Sequence, residues 1–246
     1  MESKLPQGPA SRIDWSIYMP GISIDGVIFG YRAGRLRILL HEYKEIDFFG
    51  LPGGFLKYDE SLDQAAARIV RERSGLHDVY LNQFYTFGSL QRSNPQVMKE
   101  LMYRQGAQLP KDHWLFGRFL SVGYYALVDY EKARPVPDAF SDSCSWHDVY
   151  ALPDLMLDHE KIAFKAFEQL RERVEHKPIG SNLLDERFTM SELQLLHETI
   201  LGKKLHRTGF HRKMMQSGRL LRHGKKNIGK AHRAPFLYSF NPALNQ

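Results

Sequence analysis

Within residues 53–76, GGFLKYDESLDQAAARIVRERSGL, a glycine, two carboxylates and two guanidinium groups stand at fixed intervals. Gly54 is followed after five residues by Glu60, after seven more by Arg68, and then by Glu72. Carboxylates repeated along a helix are ligands for a hard cation such as Mg²⁺, which takes oxygen donors and usually keeps part of its water shell. Glu60 and Glu72 are the two candidates here, with Asp59 or Asp63 as supplements. Two neighbouring positions oppose that chemistry. Ile69 is apolar, and Arg73, one turn beyond it, places a cation where a third ligand would stand. A guanidinium repels a metal ion rather than binding it. Gly54, Glu60, Arg68 and Glu72 are therefore read as the floor of a ligand pocket. A plain surface ion pair between Arg68 and Glu72 is the simpler alternative.

The element carrying these groups is legible from its periodicity. Leu62, Ala65, Ala66, Ile69 and Val70 recur at i, i+3, i+4, i+7 and i+8, the pattern of a helix with one buried face. Asp59 or Ser61 caps its start and Gly75 suits its end. Two runs rich in Ile, Val and Leu, 22–29 and 36–41, precede it, separated by a glycine-containing hairpin loop at 30–35. Residues 80–90, 123–128 and 144–149 read as further strands, and 158–174 as a second helix capped by Asp158. The stretch 92–118, broken by Pro95, Gly106, Pro110 and Gly117, is long for a loop within a compact domain. It reads as an insertion with a short helix at 96–105, lining a pocket or forming a dimer contact.

Charge divides the chain unevenly. The 246 residues hold 34 Lys and Arg against 28 Asp and Glu, a net charge of +6. Eleven of the basic residues and none of the acidic ones lie in 199–246, which leaves 23 and 28, a net of −5, for the rest. A block this one-sided points to a polyanionic partner. Its pattern is that of a folded unit rather than a solubilising tail. Thr189, with Glu192 three residues on, forms a capping box, or Ser191 takes the cap. Leu193, Leu196, Ile200 and Leu201 line one helix face, and Gly202 ends it. A second helix runs from about Thr208 to Gln216 with Phe210 and Met214 inward, and two strands, 220–221 and 236–240, flank a basic loop. Helix, turn, helix, strand, loop, strand is the plan of a winged helix. Duplex DNA requires several cations on one surface and few carboxylates. Thr208, His211, Arg212 and Gln216 suit base edges. Lys203, Lys204, Arg207, Lys213, Arg222, Lys225, Lys226, Lys230 and Arg233 suit phosphates or the adjoining basic surface.

Several function classes are disfavoured. No apolar run approaches the roughly 20 residues of a membrane helix. The N-terminus lacks a secretory signal pattern. A single cysteine, Cys144, excludes an internal disulfide and fits a reducing, cytoplasmic setting, and only His147 is near enough in sequence to suggest a reactive thiol.

The segment 54–76 resembles a Nudix box: Gly54, Glu60, Arg68, Val70, Glu72, Gly75 and Leu76 fall in register, and Ile69 and Arg73 replace two of its glutamates. Pro178-Ile179-Gly180, Asn182-Leu183-Leu184, Phe188-Thr189, Glu192-Leu193-Gln194 and Phe210 with Arg212-Lys213 extend the likeness. Together they resemble the NrtR-type Nudix-related transcriptional regulators, most closely the sugar-responsive, AraR-like branch. The resemblance implies an α+β fold. A Nudix α/β/α sandwich with a mixed sheet would occupy 21–176 behind an N-terminal arm at 1–20. A linker at 177–182 and a winged helix at 183–246 would follow. It implies a homodimer binding operator DNA and a small effector, a pentose or an ADP-ribose-like molecule, in control of sugar or NAD metabolism. No catalytic residue and no cofactor are then expected. The alternative is a Mg²⁺-dependent pyrophosphatase acting on a nucleoside diphosphate derivative through Glu60 and Glu72.

Overall fold

A computed structural model describes residues 12–43, 47–77, 79–92, 94–176, 183–226 and 234–244. The linker at 177–182 and the candidates Lys230 and Arg233 lie outside the described residues. The chain divides into two compact units, 1–30 with 37–167, and 31–36 with 168–246.

The first unit is built on a seven-stranded sheet. β1 (Tyr18–Arg32), β2 (Arg35–Tyr43), β3 (Phe48–Gly50), β5 (Leu81–Phe87) and β6 (Leu120–Asp129) form the order β3-β2-β1-β6-β5. β4 (Gly53–Lys57) pairs antiparallel with β1, and β7 (Ser143–Asp148) with β2. β1 therefore starts at Tyr18, within the stretch that the sequence reads as an arm, and both expected strands of the first hairpin run longer than their apolar cores. Ala33 and Gly34 turn that hairpin with positive φ.

Helix α1 (Leu62–Ser74) packs on one face of the sheet. Its Ala65, Ala66 and Ile69 meet Ile24, Leu56, Val122 and Tyr124, while Val70 meets Ile28, Leu39, Ala126 and Val128. Ser61 caps it: the Gln64 N–H donates to the Ser61 hydroxyl and the Ser61 N–H to the Gln64 side chain. Gly75, at φ 67°, closes it in the left-handed conformation. Successive strand residues face opposite ways, so Phe29 points away from the Ile28 side, and there it meets Phe167 of α3 (His159–His176). Both sheet faces are thus covered, which explains the unbroken run of buried residues from Ile24 to Tyr31.

The second unit contains β8 (Phe188–Thr189), α4 (Met190–Leu201), α5 (Arg207–Gln216), β9 (Leu220–Lys225) and β10 (Phe236–Phe240), with the sheet order β8-β10-β9. Phe188, Leu193, Phe210, Leu220 and Tyr238 form its core. Thr189 is the cap of α4, and the reciprocal bond from its N–H to Glu192, 2.6 Å, completes the capping box. β9 extends through Lys225, so Arg222 and Lys225 lie on a strand rather than in the loop that composition suggests.

Candidate functional site

Ile69 joins the core from α1 and is 1% exposed. A Cβ at position 54 would come within 3.1 Å of the Ile69 Cδ1, so glycine lets β4 lie close against the helix. That approach brings the charged face of α1 beneath a cavity of about 380 Å³ in the first unit. Gly54, Arg68 and Glu72 line it, as the sequence suggests, and so does Arg73. Glu60 stands behind Arg68 instead: the Arg68 Nε donates to one carboxylate oxygen at 2.9 Å and Nη2 to the other at 2.6 Å. The Lys57 N–H adds a further bond at 2.9 Å. These bonds, that from Arg68 first, hold the Glu60 carboxyl below its ordinary pKa. Arg68 also donates to the Phe55 carbonyl at 3.0 Å and faces Glu72 at 3.6 Å.

Glu60 and Glu72 do not fit a Mg²⁺ ion. Both oxygens of Glu60 are engaged by one guanidinium, and Glu72 lies between two, 3.6 Å from Arg68 and 3.8 Å from Arg73. Among the described residues no cluster of three His, Cys, Asp or Glu side chains has the arrangement of a metal site.

One wall of the cavity is aromatic. Trp15 stacks near Phe140 at an interplanar angle of 18° and meets Phe55 and Trp114 edge-on at 6.1 Å. Phe119 closes on Phe55 at 5.5 Å. Asp138 shapes this wall by accepting the N–H groups of Phe140 and Ser141, each at 2.8 Å. The stretch 92–118 contributes much of the enclosure. Helix α2 (Pro95–Arg104) packs Leu101 and Met102 against Tyr43, Leu115 and Met156, and Arg92, Asn94 and Met98 reach the cavity. Of the two roles open for this insertion, lining a pocket is the one the structure displays.

Another part of the cavity lining belongs to a buried polar network. Arg92 donates to both oxygens of Asp158 at 3.1 and 3.2 Å, and to Asp25 at 3.4 Å. The Ser121 hydroxyl donates to Asp25. His159 accepts the Leu51 N–H through Nδ1 at 2.9 Å, so its Nε2 carries the proton and faces Asp25 at 3.8 Å. Burial holds its pKa below the usual value, which agrees with a neutral ring. Trp15, Asp25, Arg92, Phe140 and His159 escaped the sequence reading. They come from five separate segments, and only the density of aromatic residues near 114–119 hinted at such a wall.

The candidate DNA residues occupy the second unit. Arg207, Thr208, His211, Arg212, Lys213 and Gln216 of α5 are exposed, while Phe210 is buried and Met214 half-buried. Thr208, His211, Arg212 and Gln216 follow a spacing of three and four residues and share one face. Lys203 and Lys204 are exposed before the helix, with Lys204 bonded to Glu198 at 3.0 Å. Arg222 and Lys225 lie over the Phe236 ring at 4.6 and 5.7 Å, and Lys226 pairs with Glu192 at 3.4 Å. Both of these carboxylates, Glu192 and Glu198, come from α4.

Among the described residues no helix is long and apolar enough to cross a membrane. The model of the Nudix domain family matches residues 20–170, and that of the NrtR DNA-binding winged helix domain matches 180–240. Over 206 residues the chain is 30% identical to an ADPR responsive transcriptional repressor NtrR of Acinetobacter baylyi, covering 81% of this chain and 74% of that protein. The crystal structure of NrtR from Shewanella oneidensis superposes with a TM-score of 0.69 at 27% identity, covering 92% of this chain and 96% of that one. The same protein complexed with a 27-mer DNA gives 0.67 at 27% identity, covering 91% and 95%. A degenerate Nudix unit, a winged helix that follows it in sequence and regulators that match most of the chain place this chain in the NrtR-type family of Nudix-related transcriptional regulators.

Proposed function

We propose that this protein binds operator DNA through its winged helix and senses an ADP-ribose-like effector in the cavity above α1, without hydrolysing it. The observation that carries the effector reading is the cavity's division into an aromatic wall around Trp15, Phe55 and Phe140 and a cationic floor with Arg68 and Arg73. A nucleoside diphosphate sugar has matching parts. Its base is a flat ring that stacks on aromatic side chains, and its diphosphate accepts charge-assisted hydrogen bonds from guanidinium groups. A free pentose, the other effector that the sequence leaves open, carries neither part. The A. baylyi relative is described as ADPR responsive, which supports the same choice.

DNA binding rests on the exposed face of α5 and on the S. oneidensis relative, whose structure with a 27-mer DNA superposes along most of this chain. Two copies of the chain, each offering one such helix, would read two half-sites spaced by about one helical turn of DNA. Repression is the activity described for the A. baylyi relative and is the sense of regulation proposed here. The metal-dependent pyrophosphatase reading is set aside because both oxygens of Glu60 are bonded to Arg68 and Glu72 stands between two arginines. Mg²⁺-dependent cleavage of ADP-ribose that Glu72→Gln abolishes would restore it.

The DNA reading is tested by titrating duplex from the protein's own promoter at several salt concentrations. Tight binding that weakens steeply with salt is expected, since phosphate contacts release counterions. The Arg212→Glu/Lys213→Glu double variant should lose at least about a hundredfold in affinity, because two cations on the proposed DNA-reading helix become two anions beside a polyanion. Unchanged binding by that variant would move the interface away from α5.

A further inference from the structure

Of the three arginines that line the cavity, Arg73 is the one whose own structure leaves it least satisfied. Arg92 has acceptors on all three nitrogens, from Asp158, Asp25 and the Phe119 carbonyl. Arg68 spends Nε and Nη2 on Glu60 and the Phe55 carbonyl. The Arg73 Nε, by contrast, is buried with no hydrogen-bond partner. Its Nη2 lies 3.8 Å from the Glu72 carboxylate, beyond hydrogen-bonding distance, and the side chain, 18% exposed, is part of the cavity lining. A buried donor without an acceptor is costly, and the few that persist in folded proteins call for a reason. An anion in the cavity supplies one.

We infer that Arg73 grips the diphosphate of the effector and provides the positive charge that a divalent metal would otherwise bring, so that effector binding needs no metal. This deepens the proposed function and rests on it for the identity of the effector. In the free protein Glu72 is a loose counter-ion between Arg68 and Arg73. A diphosphate offers Arg73 shorter, paired bonds through the planar fork of its guanidinium. It must then compete with Glu72 for the same group. The two side chains should therefore act in opposite directions: removal of Arg73 weakens the ligand, and neutralisation of Glu72 strengthens it. A metal-binding role for Glu72 demands the reverse of the second effect.

Isothermal titration of the full-length protein with ADP-ribose, in EDTA and again in Mg²⁺, tests this. Wild type should bind equally in both. Arg73→Gln should weaken ADP-ribose at least about tenfold, as loss of a charge-assisted bond does, with Arg73→Lys intermediate. Glu72→Gln should tighten it severalfold. Thermal melts of each variant show whether it is folded. A wild type that binds only in Mg²⁺, a folded Arg73→Gln that binds like wild type, or a Glu72→Gln that binds more weakly would each overturn the inference. Inorganic pyrophosphate, titrated in parallel, separates it from the broader reading. Arg73-dependent binding of pyrophosphate without binding of ADP-ribose would refute the proposed effector and leave the role of Arg73 standing.

Discussion

Ile69 and Arg73 show how two side chains one turn apart redirect a site. Ile69 extends the apolar stripe of α1 into the sheet, and Arg73 turns toward the cavity with an unpaired Nε. The first is a matter of stability. Ile69 is 1% exposed and packs under Gly54, so Ile69→Ala should cost about 2–4 kcal/mol in chemical unfolding, from lost transfer energy and the cavity left behind. A loss below about 1 kcal/mol would mean that the site collapses around the smaller side chain. These residues were legible in the sequence because helix periodicity and the Gly54–Glu60–Arg68–Glu72 spacing are local. Glu60 was only half legible. Its spacing marked it as part of the site, but the bidentate bond that draws it behind Arg68 depends on three-dimensional geometry. Asp25, Arg92 and His159 carried no local signal, since Asp25 and Arg92 meet across 67 residues of chain.

Among the elements, caps and helix faces were read well and strand ends poorly. Thr189 and Gly202 bound α4 because capping is a contest between neighbouring groups. The strands β1 and β9 outrun their apolar cores because pairing with a neighbour, rather than side-chain type, sets their length. Trp15, at the foot of β1, was placed in an arm for the same reason, although it anchors the aromatic wall. Helix α4 also contains a pH-sensitive group. His197 is 6% exposed, packs edge-on against Phe210 at 5.0 Å, and is pushed down to about 4, first by burial and then by Lys213. The unfolded chain binds a proton near pH 6.5 that the folded unit refuses. The stability from the neutral ring is therefore complete above about pH 6.5 and is lost as pH falls toward about 4. Its full size is roughly 3 kcal/mol. The protection factors of the α4 amides, which correct exchange rates for their intrinsic pH dependence, should fall across that window, and His197→Leu should flatten the dependence. An α4 exchange profile whose pH slope is the same in the variant would assign the effect elsewhere.

For the whole molecule, charge and ligand chemistry divide along the chain. The acidic part carries the cavity, and the block 199–246, with eleven Lys and Arg and no carboxylate, carries α5. This division was visible from composition alone, and with the Nudix-like spacing it was enough to suggest two binding activities on one chain. Composition could not choose the effector, because the aromatic wall is assembled from Trp15, Phe55, Trp114, Phe119 and Phe140, spread over more than a hundred residues. The proposed sensor works by linkage. An effector that alters DNA affinity must itself bind the DNA-bound and DNA-free forms differently, typically by about 1–3 kcal/mol.

Fluorescence anisotropy of labelled promoter duplex, titrated with full-length protein with and without saturating ADP-ribose, measures that linkage. Salt-dependent binding is expected, with a dissociation constant that ADP-ribose changes by about five- to 150-fold. A dissociation constant that stays the same with ADP-ribose bound, or no binding to the duplex at any salt concentration, would contradict it.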